Sequence, residues 1–443
     1  MGRGYKNYLL NILMVLLAFN YMDRLALGIV LQGIKADLHL TDTQLGLLGG
    51  IAFAFFYSVM GIPIARWADR GNRVTVIWVT AALWSVAVAL CGAALTFLQL
   101  LGIRVAVAVG EAGCIPPAHS LIADYFDRAE RPKAVARYAL GGPLALVIGY
   151  LAAGWLNELY GWRETFVVLG LPGLVLAALA RFTLEEPRKL KTSAENIPRE
   201  ETLELASPPE RPSINEVCST LWEKPAFRHL LICYSVWYFF NYGVLQWIPS
   251  FFIRSHSLQT GELGTWLALI YGIGGGLGMY LGGVWATRFA AGNERLQLRV
   301  CVLAFAFHAV LNVAVFMASS QYLAFAALAL GNFGGSIVMG PTLATIQTLV
   351  PSRMRATSIS LVYLFANLIG LGLGPFATGA LSDSLRPIFG DESLRYALLT
   401  LCPGYLWAAW HVWRASQTVA NDIKSSQLDD RFPDGVNRAY VAV

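Results

Sequence analysis

Phe19-Asn20-Tyr21-Met22-Asp23-Arg24 sets an acid and a base in the middle of an apolar stretch that runs from Tyr8 to about Lys35. A stretch of that length and composition is a membrane-spanning helix. A charge near the bilayer centre costs at least roughly 2.5–3.5 kcal/mol on insertion scales, so such residues face a protein interior or a watery cavity. Neighbours on a helix diverge by about 100°, so Asp23 and Arg24 cannot share a face, and each is expected to find its partner on another helix. The pair is a functional-site candidate; the competing reading is a buried ion pair that only fixes helix packing.

The rest of the 443-residue chain supports a polytopic membrane protein: 56% of residues are hydrophobic and 14% charged, where soluble domains carry about 25% charged residues. Apolar runs fall near 8–35, 43–65, 74–95, 98–123, 131–157, 163–184, 227–253, 261–287, 299–317, 320–347, 354–382 and 393–414, which predicts an all-α chain of twelve transmembrane helices. With the N-terminus in the cytoplasm, 26 of the 33 Lys and Arg lie on the inner side and 5 on the outer, leaving Arg24 and Arg104 within the membrane. Both termini are then cytoplasmic, and the net charge of +5 is this inner-face bias rather than a nucleic-acid surface. Six scattered cysteines show neither disulfide-framework nor metal spacing. The first span is too long for a signal-peptide core and lacks a small-residue cleavage site, so it is read as retained.

A second acid and base lie on the fourth span. Arg104 and Glu111 are seven residues apart, on one face and about 10.5 Å apart along the axis, and Pro116-Pro117 beyond them loosen the helix and free backbone carbonyls. A glutamate there is neutral in an apolar pocket or ionised beside an arginine, the behaviour a proton carrier needs; a static Arg–Glu clamp is the alternative. Between spans 2 and 3, Gly61 to Arg73 carries Asp69, Arg70 and Arg73 in a short turn, where a carboxylate at a helix end and arginines near carbonyls or lipid phosphates are natural. Arg137 reads as a snorkelling base, and His308 as lone and peripheral.

Domain boundaries follow from composition: a first six-helix bundle over 1–184, a polar, proline-rich cytoplasmic linker over 185–226, a second bundle over 227–414, and a tail over 415–443 that is polar and expected to be poorly ordered. Near the end of the linker, Ser213 and Glu216 have capping-box spacing, and Ile214, Val217, Cys218, Leu221 and Trp222 mark one apolar face, which predicts a short helix on the membrane surface. The halves repeat. Phe240-Asn241-Tyr242 echoes Phe19-Asn20-Tyr21 and Gly331-Asn332-Phe333-Gly334 echoes Gly110-Glu111-Ala112-Gly113, both at an offset of 221, and Trp285-Ala286-Thr287-Arg288 echoes Trp67-Ala68-Asp69-Arg70 at 218. Asp23, Arg24, Asp69 and Glu111 correspond to Val244, Leu245, Thr287 and Asn332, so ion coupling is expected in the first half. The second half contributes neutral polar groups: Asn241, Tyr242, Gln246, Asn332, Thr342, Tyr363 and Asn367. Glycine runs from Gly272 to Gly283 and from Gly370 to Gly374 read as packing and hinge positions.

The Gly61–Arg73 turn resembles the loop between helices 2 and 3 of major facilitator superfamily transporters, except that Ala65 replaces the usual glycine and Gly71 sits one position early. Gly141-Gly142-Pro143 partly resembles the glycine-proline motif of antiporters in that superfamily. Asn20-Tyr21-Met22-Asp23-Arg24, Gly110-Glu111-Ala112, Ile122-Ala123-Asp124-Tyr125-Phe126 and Gly161-Trp162-Arg163 together resemble bacterial members of the Spinster family. The resemblance implies two pseudo-symmetric six-helix bundles and rocker-switch alternating access in a bacterial inner-membrane protein, monomeric and without cofactor or metal. It implies a proton-coupled transporter of an amphiphilic lipid with an anionic head, lysophospholipid or sphingosine-1-phosphate-like. Asp23 and Glu111 would then titrate, with Arg24 and Arg104 pairing with them or with the head group. Asp69, Arg70 and Arg73 would form a conformational latch, and Asn20, Tyr21, Asn241, Tyr242, Asn332, Tyr363 and Asn367 would line the cavity. Partners are the substrate, protons and membrane lipids.

The alternative is a proton-coupled symporter of small organic anions, carboxylates or phosphates, whose members share Asn-Tyr-x-Asp-Arg and Gly-x-x-Glu-Ala. A non-transporting receptor would bind ligand without flux. His119 and Asp124 have acyltransferase spacing, but on a continuous helix they point about 140° apart, so the chain is not read as an enzyme. No Gly-x-x-x-x-Gly-Lys loop is present to support ATP-driven pumping.

Overall fold

A computed structural model describes residues 3–188, 214–351 and 354–431. Among these the regular structure is entirely helical. In chain order the rods are α1 (Arg3–Leu38), α2 (Asp42–Arg70, kinked at Gly50), α3 (Arg73–Cys91), α4 (Phe97–Tyr125), α5 (Arg131–Tyr160) and α6 (Trp162–Thr183). The short α7 (Ile214–Trp222) follows, then α8 (Pro225–His256), α9 (Thr260–Phe289), α10 (Glu294–Met317), α11 (Gln321–Thr348), α12 (355–389) and α13 (393–431). Ten stretches among the described residues are apolar and long enough to cross a membrane. One of them, Thr357–Ser426, contains most of α12 and α13, and α8 is a further 32-residue rod. With α7 set apart, the long rods follow the sequence spans; most are extended, α13 by seventeen residues, whereas α3 stops four residues short of its span.

The chain divides into two compact units. Among the described residues, the first comprises 3–188, 243–273 and 371–397. Inside it α3 packs along α6, α1 along α5, and α5 against the start of α9. Small residues permit the last approach: a Cβ on Gly154 would fall 2.5 Å from the Thr260 carbonyl and 3.0 Å from Gly264 Cα, so these helices meet backbone to backbone. The opening segment of α2 lies just as close to α12, where a Cβ on Gly379 would fall 2.2 Å from the Asp42 carbonyl. Thr41 caps that segment, its hydroxyl accepting from the Gln44 amide while the Gln44 side chain accepts from the Thr41 amide.

Among the described residues, the second unit comprises 214–242, 274–351, 354–370 and 398–431. Here α10 packs on α11 and α13. His308 is no peripheral residue: it is buried, its Nδ1 lies 2.7 Å from the Gly331 carbonyl, and its ring packs on Trp237 and Tyr405. The helix predicted before the second half is present as α7. It packs on the start of α12 with Val217 and Leu221 buried, while Ser213, the other half of the capping box, lies outside the described residues. The expectation of a poorly ordered tail fails for 415–431. There α13 continues to Arg431, because Val412, Ala415, Val419 and Ile423 recur at helical spacing and are buried. Asp422 then accepts from the Ala226 amide at 2.7 Å, and Ser426 donates to the Leu349 carbonyl at 2.6 Å.

Two of the unit boundaries fall where the second-half helices are irregular. The cut after Ile273 lies within a π-helical stretch of α9 (Ala268–Gly274), and the cut after Gly370 within one of α12 (Ala366–Leu373). Both coincide with the glycine runs read as hinges, and π-bulges commonly mark functional irregularities in helices.

Candidate transport site

The membrane-depth charges of the first half assemble into two ion pairs between α1 and α4. Arg104 NH1 donates to Asp23 Oδ2 at 2.6 Å, and both side chains are almost fully buried. Arg24 reaches Glu111 Oε2 through NH2 at 2.5 Å and through Nε at 2.7 Å, with Glu111 fully buried. The helical divergence of Asp23 and Arg24 therefore works as sequence geometry requires, each taking one of the two α4 residues as its partner. Glu111 is the last residue of the first α4 segment, which breaks over Ala112–Cys114 before Pro116 and Pro117 resume the helix. The Glu111 carbonyl, at that break, accepts from Asn20 Nδ2 at 3.2 Å.

Each acid uses only one oxygen in its ion pair. Asp23 Oδ1 and Glu111 Oε1 are buried without a hydrogen-bond donor, as are Asn20 Oδ1 and, on the donor side, Arg104 Nε. Asp23 and Glu111 are neighbours across α1 and α4, since Arg24, next to Asp23 in the chain, holds Glu111. Two ionised carboxylates offer four acceptor oxygens and no proton, so one added proton turns an orphaned oxygen into a donor.

The two cations differ in surroundings. Arg24 lies 5.2, 4.6 and 4.7 Å from the ring centres of Tyr21, Phe53 and Tyr57, whereas Arg104 has Phe53 at 5.4 Å. Aromatic faces partly replace the lost hydration of a cation, so Arg24 is the better supported without its acid.

The turn between α2 and α3 organises a third cluster, centred on Arg73. Its side chain is buried, donates to Asp124 Oδ2 at 2.7 Å and to the Ser120 carbonyl at 3.0 Å, and pairs closely with Glu186. Burial alone would raise the Glu186 carboxyl, but the hydrogen bonds and charge of Arg73 hold it below the usual carboxylate value. The side chains of Asp69 and Arg70 are exposed, and Asp69 contributes its carbonyl, which accepts from Arg188 at 2.8 Å. Sequence reasoning missed Glu186, whose signal was an acid just after α6 and immediately before Pro187. Asp124 thus serves Arg73, while His119 packs edge-on against Tyr138. Arg137 has partners too, donating to Asn7 and Asn11 of α1 at 2.9 and 2.8 Å.

The second-half polar residues lie on separate helices. Asn241 and Tyr242 are half-buried on α8, with the Tyr242 ring 5.5 Å from that of Tyr238; Asn332 is half-buried on α11; Tyr363 and Asn367 are half-buried on α12. Thr342 is buried and lies 2.9 Å from the Tyr234 hydroxyl. Gln246 Nε2 is buried with no acceptor.

An all-helical chain of long apolar rods, with complementary charges inside the first of two repeated halves, defines a membrane-spanning secondary transporter. A profile of the Major Facilitator Superfamily matches residues 13–385, and the chain belongs to that superfamily. An MFS-type efflux pump of Mycolicibacterium smegmatis is 32% identical over 409 residues, 91% of each chain. The hexuronate transporter of Bacillus subtilis is 25% identical over 389 residues, covering 84% of this chain and 86% of its own. Among solved structures, a bacterial homologue of the human lysosomal transporter Spinster, inward-facing and unoccupied, superposes with a TM-score of 0.83 at 28% identity, covering 95% of this chain and 99% of its own.

Proposed function

We propose that the protein is a proton-coupled carrier of a small organic anion, of the sugar-acid type, working by alternating access in a bacterial inner membrane with both termini cytoplasmic. The observation that carries the coupling is the pair of orphaned carboxylate oxygens, Asp23 Oδ1 and Glu111 Oε1, on neighbouring buried acids that each hold one arginine. A proton entering between them neutralises one acid and weakens its hold on Arg104 or Arg24, which frees a cation for the anionic group of the cargo. Release of the cargo restores the ion pair and expels the proton. Anion and proton thus travel as a nearly neutral unit, which lowers the cost of carrying charge through the bilayer. The likeness to a hexuronate transporter over most of both chains supports an anion of this class.

Flux of labelled D-glucuronate and D-glucarate into proteoliposomes under an imposed pH gradient tests this reading. Saturable, gradient-driven uptake that Glu111→Gln abolishes is the expected result. A second reading, transport of a lipid with an anionic head, is favoured by the superposition on the Spinster homologue. Movement of a labelled lysophospholipid, with no sugar acid moved by the same preparation, would replace the first reading with the second.

A further inference from the structure

On the side of the bundle opposite the amino terminus, a cavity of about 220 Å³ opens among the ends of α1, α8 and α12, a volume of several water molecules at about 30 Å³ each. Lys35, Arg254 and Arg386 line it together with Gln32, Asp391 and Ser393. Basic residues are scarce on this side: by the charge bias along the sequence only Lys35, Arg163, Arg254, Arg386 and Arg395 lie there. Three of those five converge on one hollow, against the trend that keeps cations on the inner face.

Two of the three cations are held by a single carboxylate. Asp42, 1% exposed, accepts from Lys35 Nζ at 2.5 Å, from both terminal nitrogens of Arg254 at 2.6 and 2.8 Å, and from the Ser382 hydroxyl at 2.7 Å. Gln32 Oε1 accepts from Arg254 Nε at 2.8 Å, completing the fork. This one acid ties together the ends of α1, α2, α8 and α12. Arg386 is different: it makes a 3.8 Å contact with Asp391, and both side chains are largely exposed. The hollow therefore presents one weakly engaged guanidinium beside two cations whose shared partner is a replaceable carboxylate.

Building on the reading of the chain as an anion carrier, we propose that this hollow is an outer entry subsite for the anionic group of the cargo, a carboxylate or phosphate. Arg386 captures the group, which then takes the place of Asp42 on the Arg254 fork and on Lys35. The exchange of one anion for another loosens the tie among the four helix ends, so arrival of cargo and opening of this side are a single event. Without cargo, Asp42 keeps the side shut.

Calorimetric titration and thermal unfolding of the purified full-length protein test the subsite separately from transport, with D-glucuronate, inorganic phosphate and a lysophosphatidate as probes and sodium chloride at equal ionic strength as the control. Arg386→Gln, at an exposed position away from Asp23 and Glu111, is expected to weaken binding about two- to fivefold. Asp42→Asn is expected to bind the anion more tightly than wild type. It should also show a larger anion-dependent rise in melting temperature, because the anion supplies the charge the variant lacks. Equal binding by wild type and Arg386→Gln, or a rise in Asp42→Asn that chloride reproduces, would overturn the proposal. A response to lysophosphatidate alone keeps the subsite and assigns it to a lipid head group, whereas binding that obeys both variants without sugar-acid flux would sink the transport reading and leave the subsite standing.

Discussion

Asp23→Ala and Asp23→Asn separate the two tasks assigned to this acid. Alanine removes the hydrogen-bonded partner that the structure gives Arg104, whose side chain is 1% exposed and whose Nε is already without an acceptor. An arginine does not discharge in a protein, so the variant holds a buried, uncompensated cation, at a cost of about 3–5 kcal/mol. Asparagine keeps an oxygen for Arg104 NH1 and, as a protonated Asp23 would, puts a donor where Oδ1 is buried without a partner. It gives up the ionic part of one charge-assisted bond, about 1–2 kcal/mol. Asp23→Asn should therefore unfold at a denaturant concentration nearer to wild type than Asp23→Ala does, measured in mixed micelles. In proteoliposomes it should retain exchange of cargo across the membrane while losing the response to a pH gradient. Equal destabilisation by the two substitutions would refute the argument that Asp23 balances Arg104, and undiminished gradient-driven flux in Asp23→Asn would refute its part in coupling.

Three further outcomes follow from the same geometry. Glu111→Ala leaves Arg24 among the rings of Tyr21, Phe53 and Tyr57, so it should cost about 1–2 kcal/mol less than Asp23→Ala in the same unfolding assay. Because Arg73 lowers the folded Glu186 carboxyl, the stabilisation from this pair is fully present above the unfolded value of about pH 4.3. It is lost as pH falls through the lower folded value; melting temperatures of wild type should therefore drop at the acid end of a pH 3–7 series, and Glu186→Gln should flatten that limb. Gly154→Ala forces a Cβ against the Thr260 carbonyl and Gly264 and should destabilise the protein by about 1–3 kcal/mol, read from the same unfolding curves; a neutral result would mean that α5 and α9 separate freely.

How much of the site was legible depended on whether the signal was local. Charges at membrane depth are conspicuous in an apolar background, so Asp23, Arg24, Arg104 and Glu111 declared themselves, and helical geometry required partners on other helices. Which arginine met which acid was not readable, because Arg104 and Glu111 share a face of α4 and either could have faced Asp23. Arg73 stood out, but its partners Asp124 and Glu186 lie 51 and 113 positions further on and carry no local mark. The burial of His308 and of the end of α13 is not legible in the sequence for one reason: a polar residue or a polar face hides burial that a neighbouring helix supplies.

The amino-acid sequence by itself determined the helical class, the duplicated halves and the confinement of intramembrane charge to the first of them, since hydrophobic length, repeat offset and the cost of burying charge are properties of the chain alone. Only the tertiary structure decided the pairings Asp23–Arg104 and Arg24–Glu111, the orphaning of one oxygen on each acid, and the gathering of Lys35 and Arg254 on Asp42 beside Arg386. Those contacts join residues up to 212 positions apart in the chain, and no local period or propensity encodes which distant side chains a folded bundle brings within hydrogen-bonding reach.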